Sequence, residues 1–149
     1  MFKKYRLSFD IWGLMLFLVI MTPNFIWFAV PAPNDVLRTD SVTEIFDAIA
    51  SVCQVFMAAS LCLLKNRESR KMRLNPLITA VIVCCLLYFA SWIIYYTRAV
   101  NPLVISGLTV SPCAAFLFFA IDRKNKPAVV PILIFTVCHI IYAAVNFII

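Results

Sequence analysis

The sequence predicts an all-α fold: an integral membrane five-helix bundle with its N-terminus in the cytoplasm and its C-terminus outside. Three observations predict it. Hydrophobic residues make up 64% of the 149-residue chain and charged residues 13%, whereas a soluble domain is roughly 45–50% apolar and about 25% charged. Five apolar runs are each long enough to cross a bilayer, which takes about 20 residues. The thirteen Lys and Arg gather in short clusters between those runs. So few residues cannot enclose that much apolar surface in water, and lipid is the expected solvent.

The first span is expected at about 9–30. It follows Lys3, Lys4 and Arg6 but is longer than a signal-peptide core and ends in Trp27, Phe28 and a proline-rich connection, so it reads as a retained helix. The others are expected at about 44–64, 75–96, 100–121 and 128–148. Together they form a single transmembrane domain, 1–149. Pro76, Pro102 and Pro127 lie near span starts, where a missing N–H costs little. Asp40, Ser41 and Thr43 are candidate caps of the second span, with Glu44 and Asp47 in its first turn.

The charge count sets the orientation. Lys3, Lys4, Arg6, Lys65, Arg67, Arg70, Lys71, Arg73, Arg123, Lys124 and Lys126 fall on one side of five spans, and only Arg38 and Arg98 on the other. That is a positive-inside pattern for a multi-pass protein of a cell membrane, here the bacterial inner membrane. Merging or dropping a span would scatter the clusters onto both sides. The basic clusters lack interleaved aromatics, so nucleic acid is not an expected partner.

Polar residues inside spans carry the functional information. Asp47, Ser51 and Gln54 share one face of the second span. Tyr88, Ser91 and Tyr95 do so on the third, beside Trp92, and His139, Tyr142 and Asn146 on the fifth, with Thr136 a turn away. Counted from the outer boundary, Asp47 and Asn146 lie at roughly 5 Å or less, Asn24 and Tyr142 at roughly 10 Å, and Gln54, Tyr88 and His139 at roughly 12–15 Å. The inner halves are nearly all apolar. The expectation is an outward-facing polar and aromatic cavity built from Asn24, Trp27, Asp47, Gln54, Tyr88, Trp92, Tyr95, His139, Tyr142 and Asn146. The plainer alternative is that these groups bond between helices, at about 0.6 kcal/mol per contact and up to ~2.

His139, the lone histidine, is either a packing residue or a protonatable group bonded to Gln54 or Tyr88. Asp47 is either a first-turn carboxylate or a cation-binding group at the cavity mouth. Asp10 is expected to snorkel or to pair with Lys3, Lys4 or Arg6. The six cysteines lack any Cys-x-x-Cys and read as packing residues. Pro23 and Pro112 interrupt spans in polar contexts. No phosphate loop, zinc motif or nucleophile elbow is present, so no catalytic residue, metal or cofactor is expected.

The segment MTPNFIWFAVPAPND (21–35) and the run FLFFAIDRKNK (116–126) resemble small multi-pass bacterial membrane proteins of uncharacterised activity. That resemblance implies no transferable function. The five-span count, small size and aromatic content also resemble the tryptophan-rich sensory (translocator) family, whose tryptophan- and proline-rich motifs do not match here; the likeness implies a fold alone. The functional expectation is binding or sensing of a small amphipathic ligand or lipid, without catalysis. An accessory or assembly subunit of another membrane protein is the first alternative. An intramembrane enzyme or small transporter is the second.

Overall fold

The computed structural model describes residues 4–69, 71–98 and 100–148. It contains five helices long and apolar enough to cross a membrane. They are α1 (Ile11–Ala29), α2 (Glu44–Leu63), α3 (Pro76–Tyr96), α4 (Pro102–Asp122) and α5 (Lys126–Ala143). At about 1.5 Å per residue, each matches a hydrocarbon core of about 30 Å. The 19–21 residues of α1 to α4 fall close to the expected spans. The fifth expected span starts earlier, at Lys126, and its last residues, Ala144–Ile148, wind into a π-helical turn.

Asx side chains start four of the five helices. Asp10 accepts from the Trp12 N–H, Asn75 from Ile78, Asn101 from Val104 and Asn125 from Ala128. A proline follows each asparagine cap within two residues, where its fixed φ suits the first turn. At α2 the cap position is Thr43, as the sequence suggests, but its hydroxyl bonds no backbone N–H of the helix.

The packing order is legible from the helix contacts. α4 lies against α3 and α5, α5 against α2, and α1 closes the ring by touching α2, α3 and α4. α4 is the central helix, with ten buried residues from Val104 to Ala120. Two close approaches use glycine. A Cβ at Gly13 would collide with the Leu61 carbonyl oxygen of α2, and one at Gly107 with the Ser91 hydroxyl of α3. The outward faces are apolar: Leu86, Ile93, Val55 and Phe56 are all more than 60% exposed.

One end of the bundle collects the basic clusters. Strand β1 (Tyr5–Leu7) pairs antiparallel with β2 (Leu64–Asn66), with Arg6 opposite Lys65. These three-residue strands are an addition to the all-α expectation. The Tyr5 hydroxyl donates to the Lys124 carbonyl (3.2 Å), as does the Asn66 amide (2.9 Å). The N-terminal, α2–α3 and α4–α5 clusters therefore sit side by side. Lys3 and Arg70, counted with them from the sequence, lie outside the described residues. On the exposed rim, Lys4 pairs with Glu68 at 3.0 Å. Its hydrogen bond and charge hold the Glu68 carboxyl below its ordinary value.

Asp10 departs from expectation. It does not snorkel, and among the described residues it pairs with neither Lys4 nor Arg6; it is 4% exposed and pairs with Arg123 at the end of α4, at 3.3 Å. The reason is local. The Asp10 N–H donates to the Cys62 carbonyl (2.7 Å), which turns the residue inward, and its carboxylate caps α1. Around it, Asn125 donates to the carbonyls of Ser60 and Leu64, and Asn75 donates to Asp122. This end is closed by polar bonds over an apolar layer that includes Leu61, Val81, Phe119 and Ile132.

Removing one partner of a buried ion pair strands the other charge and costs about 3–5 kcal/mol. Arg123→Met should therefore lower the thermal midpoint in detergent sharply. The double variant Asp10→Leu with Arg123→Met should recover most of that loss.

Candidate functional site

A cavity of about 490 Å³ lies in the half of the bundle that carries the α1–α2 connection. All five helices contribute. α1 supplies Ile20, Met21, Asn24, Trp27 and Phe28, and α2 supplies Asp47, Ala50, Ser51 and Gln54. α3 gives Tyr88 and Trp92; α4 gives Ile105, Leu108, Thr109, Pro112 and Phe116. α5 and its terminal turn give Phe135, His139, Tyr142, Ala143 and Phe147, and the α1–α2 connection adds Leu37, Thr39 and Ser41. Members of the stripes read from the second, third and fifth spans, Asp47, Ser51, Gln54, Tyr88, His139 and Tyr142, thus line a common space.

Eight of the ten expected residues line it: Asn24, Trp27, Asp47, Gln54, Tyr88, Trp92, His139 and Tyr142. Tyr95 and Asn146 do not. Tyr95 is fully buried a turn beyond Trp92, where the α1–α2 connection packs over it. Asn146 follows the change to π-helical winding. Its amide donates to the Thr43 hydroxyl and the Tyr142 carbonyl, both at 2.9 Å, and its oxygen accepts from the Val42 N–H.

The polar groups divide into two kinds. Hydroxyls bond their own helix: Thr22 to Leu18, Ser51 to Asp47, Ser91 to Leu87, Thr109 to Ile105 and Thr136 to Ile132, each at 2.7–2.8 Å on a carbonyl four residues back. Amides and phenols reach across. Asn24 on α1 donates to the Tyr88 hydroxyl on α3 at 2.8 Å, and also to the Ile20 carbonyl beside Pro23. Among the described residues, Gln54 reaches only the Met21 sulfur, at 3.6 Å.

His139 hydrogen-bonds neither Gln54 nor Tyr88 among the described residues. Residues three and four apart on a helix are neighbours, so its ring stacks instead between Phe135 (4.9 Å) and Tyr142 (6.1 Å). Asp47 shares the cavity with His139, but no ion pair joins them among the described residues. On the other wall, Trp92 packs edge-on against Tyr88 and Tyr95 and tilts against Trp27. Its buried indole N–H meets no acceptor among the described residues.

Sequence reasoning passed over Asp35. Its side chain is only 10% exposed and ties the α1–α2 connection to two helices. The Trp27 indole donates to both carboxylate oxygens (3.0 and 2.8 Å), Tyr95 donates to one of them (2.9 Å), and Arg38 pairs with the other (2.9 Å). Arg38 also stacks over the Trp27 ring and donates to the Trp27 carbonyl. The opposite charges of Asp35 and Arg38 at i, i+3, between two aromatic span ends, were the available signal.

The cysteines are all free thiols among the described residues. Cys113 and Cys138 are buried with Ala50 and Phe135 in a small apolar cluster. Comparison with family models, with curated proteins and with solved structures finds no match for this chain.

Hydrogen bonds to a charged group are worth about 1.5–3 kcal/mol each. Asp35→Ala should therefore release the connection and its trypsin site at Arg38. The expected result is cleavage after Arg38 at least about tenfold faster than in the unmodified chain, with a red-shifted tryptophan emission, from an opening made cheaper by ~1.4 kcal/mol or more.

Proposed function

We propose that the protein is a multi-pass membrane protein whose cavity binds or senses a small amphipathic molecule from the outer side of the membrane, without catalysis. Its five helices cross the bilayer with the N-terminus in the cytoplasm and the C-terminus outside. The observation that carries the reading is the cavity itself: about 490 Å³, walled by Trp27, Tyr88, Trp92, Phe116, Phe135 and Tyr142, with a few polar groups between them. Small-molecule sites have this size and make-up. The apolar outward faces support burial in lipid, and the basic clusters at the opposite end support the orientation.

Catalysis is disfavoured by the state of the candidate groups. His139 is engaged with aromatic rings rather than with an acid or a hydroxyl. The hydroxyls that could act as nucleophiles are turned onto their own helix carbonyls.

Two experiments test the reading. Alkaline phosphatase, which requires an oxidising compartment to form its disulfides, should be active when fused within 31–43 or at the C-terminus and inactive when fused within 67–73; the reverse pattern would overturn the orientation. Separately, Gln54→Leu, Tyr88→Phe and His139→Leu should each weaken a compound identified by thermal shift from a lipid and metabolite panel. The loss of about 1 kcal/mol per polar contact predicts roughly fivefold weaker binding. Unchanged shifts in all three folded variants would sink the idea.

A further inference from the structure

Asp47 differs from the other buried or half-buried acids. Asp10 meets Arg123, Asp35 meets Arg38, Trp27 and Tyr95, and Asp122 accepts from Asn75. The Asp47 carboxylate has no cationic partner among the described residues, and its one side-chain donor, the Thr43 hydroxyl, is at 3.5 Å. It lines the cavity, and no Lys or Arg does. Arg38, on the adjoining connection, is committed to Asp35 and to the Trp27 ring.

The surroundings favour a particular counter-charge. Asp47 lies in the first turn of α2, where the macrodipole suits a negative group. Asn146 bonds both the Thr43 hydroxyl and the Tyr142 carbonyl, and the stacked rings of Phe135, His139 and Tyr142 line the same cavity as the carboxylate. Aromatic faces attract cations, most strongly when both are desolvated. A metal ion would need several ligands together, and no such group of His, Cys, Asp or Glu occurs among the described residues. An anion would meet the like charge of Asp47, with no Lys or Arg in the lining to offset it.

We infer that the cavity takes a monovalent organic cation, an amine or quaternary ammonium on an apolar body, with Asp47 as its counter-ion and the aromatic walls as its seat. This rests on the cavity being the ligand site. The charge sits near the cavity mouth at Asp47. The apolar body lies deeper, toward Pro112 and Phe116.

The test uses the full chain in lipid nanodiscs and three matched probes. These are 4-phenylbutyltrimethylammonium, its neutral carbon isostere with a tert-butyl group, and 4-phenylbutylsulfonate. Quenching of tryptophan emission reads binding. The cation should bind at least about tenfold tighter than the isostere, and the sulfonate weakest. Asp47→Asn should cut cation affinity about tenfold and leave the isostere unchanged. Because the cation–isostere ratio is measured on the unmodified chain, it stands even if the variant folds poorly. Equal binding of cation and isostere, or an unchanged ratio in a folded Asp47→Asn protein, would overturn the cation assignment while leaving a ligand cavity in place. Binding of none of the probes would overturn the assignment too; the panel experiment on Gln54, Tyr88 and His139 then decides the cavity separately.

Discussion

A polar side chain in an apolar helix must find a partner within the protein, because lipid offers none. Here the choice of partner follows side-chain length. Short hydroxyls such as Thr109 and Ser91 reach back to their own helix and stay there. Longer amides, phenols and carboxylates cross to another element, most of them near the two ends, with Asn24–Tyr88 farther in. The rest of the interior is left to packing. Gly13, near the start of α1, and Gly107, near the start of α4, let helices approach closely, and α4 fills the interior with Ala115, Phe116, Phe119 and Ala120.

The two ends solve the same problem differently. At the basic end, Asp10, Arg123, Asn125 and Asn66 are nearly fully buried, and their bonds join the starts and stops of four helices. Little space is left between them. At the other end, the bonds run around the edge: Asp35 to Trp27 and Tyr95, Tyr96 to the Val30 carbonyl, Asn146 to Thr43. The aromatic rings they hold are too large and rigid to close the centre. The cavity is what remains, with Asn24–Tyr88 as the direct bond across its wall.

Much of this was legible in the sequence, for identifiable reasons. Length and apolarity located the helices, because a bilayer-sized span is a strong signal. Helical spacing located the faces, so Asp47, Gln54, Tyr88, Trp92, His139 and Tyr142 were expected to look inward and do line the space. What was not legible depended on tertiary reach. Tyr95 shares a face with Tyr88 and Trp92, but the connection that covers it could not be placed from sequence. Asp10 was assigned to nearby lysines because they are close in the chain, whereas its partner is 113 residues away. The asparagine caps were readable after all. Asn75–Pro76 and Asn101–Pro102 are helix-start signals that the prolines alone only half expressed.

The cavity also has a direction. Its lining comes mainly from one half of the bundle, and the part beyond it is closed by an apolar layer and the Asp10–Arg123 pair. On the reading proposed above, a ligand held there would exchange with the side that carries the α1–α2 connection, and its occupancy would follow the concentration on that side.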